Sequence, residues 1–94
     1  MILLEFLGGL PASVRRIQAA LDAHDGLELA QGSHALRGSA RTLGADAIGF
    51  ACLELEMAGA AREFAETAGM WQRLMIEHDR LIETLNDYLR QRAA

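Results

Sequence analysis

Apolar residues in this chain return at intervals of three and four almost from end to end, a period that suits helices and defeats strands. Trp71, Met75, His78, Ile82, Leu85 and Leu89 make one stripe, and Leu10, Val14, Ile17 and Leu21 make another. A half-buried strand would instead alternate every second residue. Ala and Leu dominate a composition that is 51% hydrophobic, with a single proline and few β-branched residues, so intrinsic propensity agrees with the period. The expected fold class is all-α.

Breaks in the pattern divide the chain. Gly8 and Gly9 predict the end of a short N-terminal helix, and Pro11 suits the first turn of the next, over 11–24. Asp25-Gly26 reads as a stop, with Gly26 free to take the left-handed conformation that closes a helix. A third segment over 27–43 ends at Gly44, and Ala45-Asp46 restarts the chain with an acid placed to complement the helix dipole. So short a connection implies an antiparallel pair. In the segment over 45–65, Ile48, Cys52, Leu55 and Gly59 share a face, while Phe50, Leu53 and Met57 lie nearly opposite. The second set is expected to pack beneath the N-terminal helix rather than to form an exposed docking patch. Thr67-Ala68-Gly69 breaks the chain again, and a last helix starts near Met70. Together these predict one domain over residues 1–94, an antiparallel up-down four-helix bundle with a short additional N-terminal helix.

Several function classes are disfavoured by what the chain lacks. Its formal charge is −4, and its nine basic residues, all arginine, are spread along the sequence rather than gathered into the basic stripe of a nucleic-acid binder. With Cys52 alone, no internal disulfide and no cysteine-rich metal motif can form; Cys52 reads as a small core hydrophobe. No glutamate is followed by histidine three places on, so the inward pairs of a di-metal bundle are missing, and no metal site is expected. There is no Gly-rich nucleotide loop. Charges interrupt every apolar stretch well short of the roughly 20 residues that span a bilayer, so no direct membrane contact is expected. The N-terminus lacks the basic region of a signal peptide and carries Glu5, which fits a cytoplasmic protein.

His34 is where chemistry is expected. On a helix turning about 100° per residue, Leu29, Leu36, Ala40 and Leu43 fall on the side opposite to it. Leu27, Ala30, Arg37, Gly38 and Arg41 share its own side. A histidine opposite the apolar stripe is presented to solvent or to a partner. Exposed imidazole keeps a ring lone pair for attack near neutral pH. A phosphoryl group arriving there would meet cations at Arg37 and Arg41, which suits the charge on its three oxygens. Gly38 leaves the approach open, although glycine costs about 1 kcal/mol relative to alanine inside a helix. Glu56 lies about as far past the Gly44 turn as His34 lies before it, at a height from which it can orient the ring. His78 falls inside an apolar stripe and reads as a boundary residue. His24 ends a helix, where a cation suits the dipole.

Ser33-His34-Ala35-Leu36-Arg37-Gly38-Ser39-Ala40, followed by Leu43-Gly44-Ala45 and by Cys52-Leu53-Glu54-Leu55-Glu56, resembles the histidine phosphotransfer (HPt) domain of two-component phosphorelays. The likeness is close over residues 27–62 and rests on length and pattern outside them. It implies a phosphorelay intermediate, with His34 taking a phosphoryl group on its outer ring nitrogen from a receiver-domain aspartate and passing it to another receiver. Arg37 would hold the family's usual lysine position at the phosphate, a change that keeps charge and alters geometry. Glu56 falls where the family often has a Gln or Glu that holds the ring, and Leu27, Ala30 and Gln31 would dock the partner. No cofactor is implied on this chain, since the Mg²⁺ belongs to the receiver. The implied setting is a monomeric cytoplasmic module without catalysis of its own, the C-terminal module of a hybrid sensor histidine kinase, with a free-standing protein and the cytoplasmic tail of a membrane-bound kinase both left open. The alternative is an HPt-like helical domain that regulates a non-receiver partner by docking alone.

Overall fold

The computed structural model describes residues 2–93, so Met1 and Ala94, the ends of the expected unit, lie outside the described residues. Four helices account for nearly all of it: α1 (Ile2–Asp22), α2 (Gly26–Leu43), α3 (Asp46–Ala61) and α4 (Thr67–Ala93). Connections of a few residues force successive helices antiparallel. The α2–α3 hairpin forms the centre, with α1 lying against α2 and α4 against α3. The molecule is elongated, 47 × 21 × 19 Å.

No separate N-terminal helix exists among the described residues. The segment expected to stop at Gly8-Gly9 forms the first turns of α1, and Pro11 lies inside that helix. The reason is the buried stripe: Leu3, Leu10 and Ile17 recur every seven residues on one face and are all buried, with Phe6 and Val14 packed beside the core. Each buried leucine or isoleucine stabilises by about 1.5–3 kcal/mol, more than the roughly 1 kcal/mol that a glycine costs in a helix. A break at Gly8 would take Leu3 out of the seam.

The α1–α2 turn also differs from expectation. His24, not Gly26, takes the left-handed conformation, with φ 51°, and its ring stacks on Phe64 at 4.7 Å. Asp25 is the N-cap of α2, its side chain accepting the Glu28 N–H at 3.1 Å. Asp25 and Glu28 together carry the spacing of a capping box. Gly26 is needed for a different reason: a Cβ there would meet the Gly59 carbonyl oxygen at 2.6 Å, and one on Gly59 would meet the Gly26 oxygen and the Ala30 nitrogen at 2.7 Å. These two glycines let α2 and α3 touch backbone to backbone. Gly44 behaves as predicted, closing α2 at φ 83° with its N–H donating to the Ala40 and Arg41 carbonyls.

Toward the C-terminus, α3 stops at Ala61 rather than 65 and α4 begins at Thr67 rather than Met70. Phe64 packs against the core, and the Thr67 hydroxyl donates to its carbonyl at 2.8 Å, which starts the last helix early. Leu74 is the most buried residue of α4, whereas the stripe from Trp71 to Leu89 only flanks the core. Phe50 and Met57 do not pack beneath α1: they are 71% and 64% exposed on the outer side of α3. α1 contacts α2, so the outer side of α3 has no cover among the described residues.

Candidate functional site

The core decides which side of α2 is free. Leu29, Leu36 and Ala40 are buried against the rest of the bundle and Leu43 is half-buried, so the opposite side, carrying His34, turns outward. The His34 side chain is 67% exposed. The close backbone approach at Gly26 and Gly59 and the tight turn at Gly44 set the register of the hairpin, and that register brings Glu56 of α3 beside His34 of α2.

Glu56 makes two bonds at once. Its Oε2 lies 3.0 Å from His34 Nδ1, and its Oε1 accepts from Arg37 Nε at 2.9 Å. The Arg37 guanidinium completes a triangle, with Nη2 3.3 Å from the same Nδ1. Nε2 of His34 has no hydrogen bond among the described residues. Burial of Glu56 opposes its charged form, but the bonds from Arg37 and then His34 outweigh burial and hold the carboxyl below the usual carboxylate range. Glu56 is therefore ionised near neutral pH, an acceptor with no proton to give.

Arg37 and Arg41 divide. Arg37 is half-buried and engaged with Glu56, whereas Arg41, one turn on, is exposed and makes no ion pair among the described residues. Both line a depression of about 370 Å³ together with Asp46, Gly49, Phe50 and Leu53. Gly38 is exposed, and a Cβ placed on it would meet nothing within 4 Å. Nothing among the described residues requires glycine there.

Of the expected docking residues, Ala30 and Gln31 line a groove of about 460 Å³ with His34, Glu56 and Arg16. Leu27 is exposed on the same side of α2 but outside that groove. Arg16 of α1 joins this groove although no sequence signal marks it for the site. It pairs with Glu28 across the α1–α2 contact, and nothing local in sequence marks a pair of that separation.

Two further residues bear on the site from behind. Ser33, next to His34, is fully buried, and its hydroxyl has no hydrogen-bond partner among the described residues. Cys52 is buried in the seam, and burial pushes its thiol up to about 12, so it stays protonated and inert. His78 is half-buried with Nδ1 2.9 Å from Asp79, a boundary position as its place in the stripe suggested. Among the described residues no group of three or more His, Cys, Asp or Glu is placed to hold a metal ion, and no helix is long and apolar enough to cross a membrane.

Such an arrangement can present one ring nitrogen to an incoming electrophile while a carboxylate fixes the other. Among the described residues the histidine lines an open groove. Comparison with known families gives a match between residues 1–92 and the model described as the Hpt domain. Comparisons with curated proteins and with solved structures gave no match.

Proposed function

The chain belongs to the Hpt-domain family, whose members work in histidine phosphotransfer of two-component signalling and interact with receiver domains, and from that premise we propose that it is a relay module phosphorylated on His34. The observation that carries this reading is the ring itself, exposed, tied at Nδ1 to Glu56 and unbonded at Nε2. In the proposed step the Nε2 lone pair attacks the phosphorus of a receiver's aspartyl phosphate. The P–N bond forms as the P–O bond to the aspartate breaks, and the aspartate carboxylate leaves with the electron pair. The ring proton stays on Nδ1, where ionised Glu56 offsets the positive charge the ring acquires. The reverse step delivers the phosphoryl group to a second receiver.

The neighbours have distinct parts in this reading. Arg37 supplies positive charge at the inner edge of the ring, and Arg41, exposed and without an ion pair among the described residues, is the cation available to the phosphoryl oxygens. Gly38 keeps the in-line approach open. Leu27, Ala30 and Gln31 receive the partner on one side of His34, and the exposed Phe50 and half-buried Leu53 extend the surface on the other. The receiver brings its aspartate and Mg²⁺, and this chain adds no cofactor. It acts as a monomeric cytoplasmic module of a hybrid sensor histidine kinase, with no catalysis of its own.

A second reading, docking to a non-receiver protein, is favoured by one observation: the uncovered apolar side of α3 at Phe50 and Met57. One experiment separates the two. Incubation with a phosphorylated receiver domain should move acid-labile label onto this chain, and His34→Gln should abolish the transfer. Arg41→Ala should slow it roughly tenfold, as expected for loss of one charge-assisted contact. Label retained in His34→Gln overturns the site assignment; a non-receiver partner bound equally by His34→Gln supports the second reading.

A further inference from the structure

Nδ1 of His34 lies between two groups of fixed and opposite character. Glu56 Oε2, at 3.0 Å, can only accept, because the carboxyl is ionised. Arg37 Nη2, at 3.3 Å, can only donate, because guanidinium does not lose its proton in proteins. The two contacts cannot both be hydrogen bonds at once. If Nδ1 carries the proton it donates to Glu56, and Nε2 keeps its lone pair facing outward. If Nδ1 carries the lone pair it accepts from Arg37, and the neutral ring must hold its proton on Nε2, where no attack is then possible. The tautomer of this histidine is thus contested by two neighbours.

We propose that Arg37, through Nη2, is a competing donor that favours the unreactive tautomer of His34, and that Glu56 outcompetes it by accepting the Nδ1–H through Oε2 while its Oε1 holds the Arg37 Nε–H. Three distances carry this: 3.0 Å, 2.9 Å and 3.3 Å around one carboxylate and one ring nitrogen. The guanidinium fork matters, since it can bond Glu56 through Nε while aiming Nη2 at the ring. Arg37 and Glu56 are in this respect positioning residues that act through His34. Calling one tautomer reactive rests on the phosphotransfer reading above; which tautomer is present does not.

The claim differs from simple ring-holding in a way that can be measured. If Glu56 only steadies the ring, removing Arg37 as well changes nothing further. If Arg37 competes, Glu56→Ala leaves the ring facing an unopposed donor, and adding Arg37→Ala relieves it. Heteronuclear NMR of the ring nitrogens, at a pH well above the usual imidazole range so that the ring is neutral, reads the tautomers directly in folded protein. The expected order of Nδ1–H population is wild type highest, the Glu56→Ala/Arg37→Ala double variant intermediate and Glu56→Ala lowest. Arg37→Ala alone should match or exceed wild type, which keeps the test alive if either Glu56 variant folds poorly. Equal populations in the single Glu56 variant and the double variant overturn the proposal, as does a wild-type ring protonated mainly on Nε2. Neither result depends on phosphorylation, so failure of label transfer from a receiver would count against the proposed function and not against this competition.

Discussion

Ser33 and His34 are neighbours in sequence and opposites in environment, and each invites a test. The buried Ser33 hydroxyl has no partner among the described residues, and such a group costs about 1–3 kcal/mol of lost hydration. Ser33→Ala removes the group and places a better helix former on α2. We expect a gain of about 1 kcal/mol by urea denaturation; a loss of stability would mean that the hydroxyl is satisfied in solution. Glu56 makes a prediction in pH. Its folded-state pKa is depressed, so its contribution is fully present above the unfolded carboxylate pKa and is lost as pH falls through the lower folded value. The stability difference between wild type and Glu56→Gln should therefore favour wild type near neutral pH and vanish in acid, below the carboxylate range. A difference constant across that range would contradict the ionised bridge. His34, its exposure, and the arginines beside it were legible in the sequence because each follows from helical angle alone. The competition at Nδ1 was not, because it depends on which way a guanidinium on one helix turns toward a carboxylate on another.

Among the elements, the glycines separate into one that closes a helix as expected, two that do not break theirs, and two that serve a helix contact. Gly44 closes α2 as expected, because no side chain is easily accommodated at φ 83°. Gly8 and Gly9 do not break α1, since the buried spacing of Leu3, Leu10 and Ile17 continues across them. Gly26 and Gly59 serve a contact between two helices that no local pattern announces. This sorting predicts opposite outcomes from one kind of substitution. Gly59→Ala forces a Cβ to within 2.7 Å of the Gly26 oxygen and should destabilise by about 1–3 kcal/mol in a thermal or urea melt. Gly38→Ala meets nothing and should stabilise by roughly 0.5–1 kcal/mol through helix propensity, while slowing transfer from a receiver. Destabilisation by Gly38→Ala, or tolerance of Gly59→Ala, would contradict the assignment.

For the molecule as a whole, helical period and short connections sufficed for the all-helical hairpin arrangement, because both are local properties. The outward side of α3 was misplaced because its cover is a tertiary matter: Phe50 and Met57 lie opposite Ile48, Cys52 and Leu55, and a sequence with apolar residues on both sides of one helix does not say which side stays bare. On the proposed function the same elongated bundle makes His34 a relay point by leaving its ring in an open groove rather than an enclosed cavity, so the protein would provide an oriented nucleophile and a partner the rest. That claim can be tested without any partner. Phosphoramidate, a small phosphoryl donor, should add one phosphoryl group to the intact protein, seen by mass spectrometry, lost on brief acid treatment and mapped by fragmentation to His34. The group should be absent from His34→Gln and should persist in a His78→Gln control. A phosphoryl group found on His24 or His78 instead, or one that survives in His34→Gln, would contradict the account.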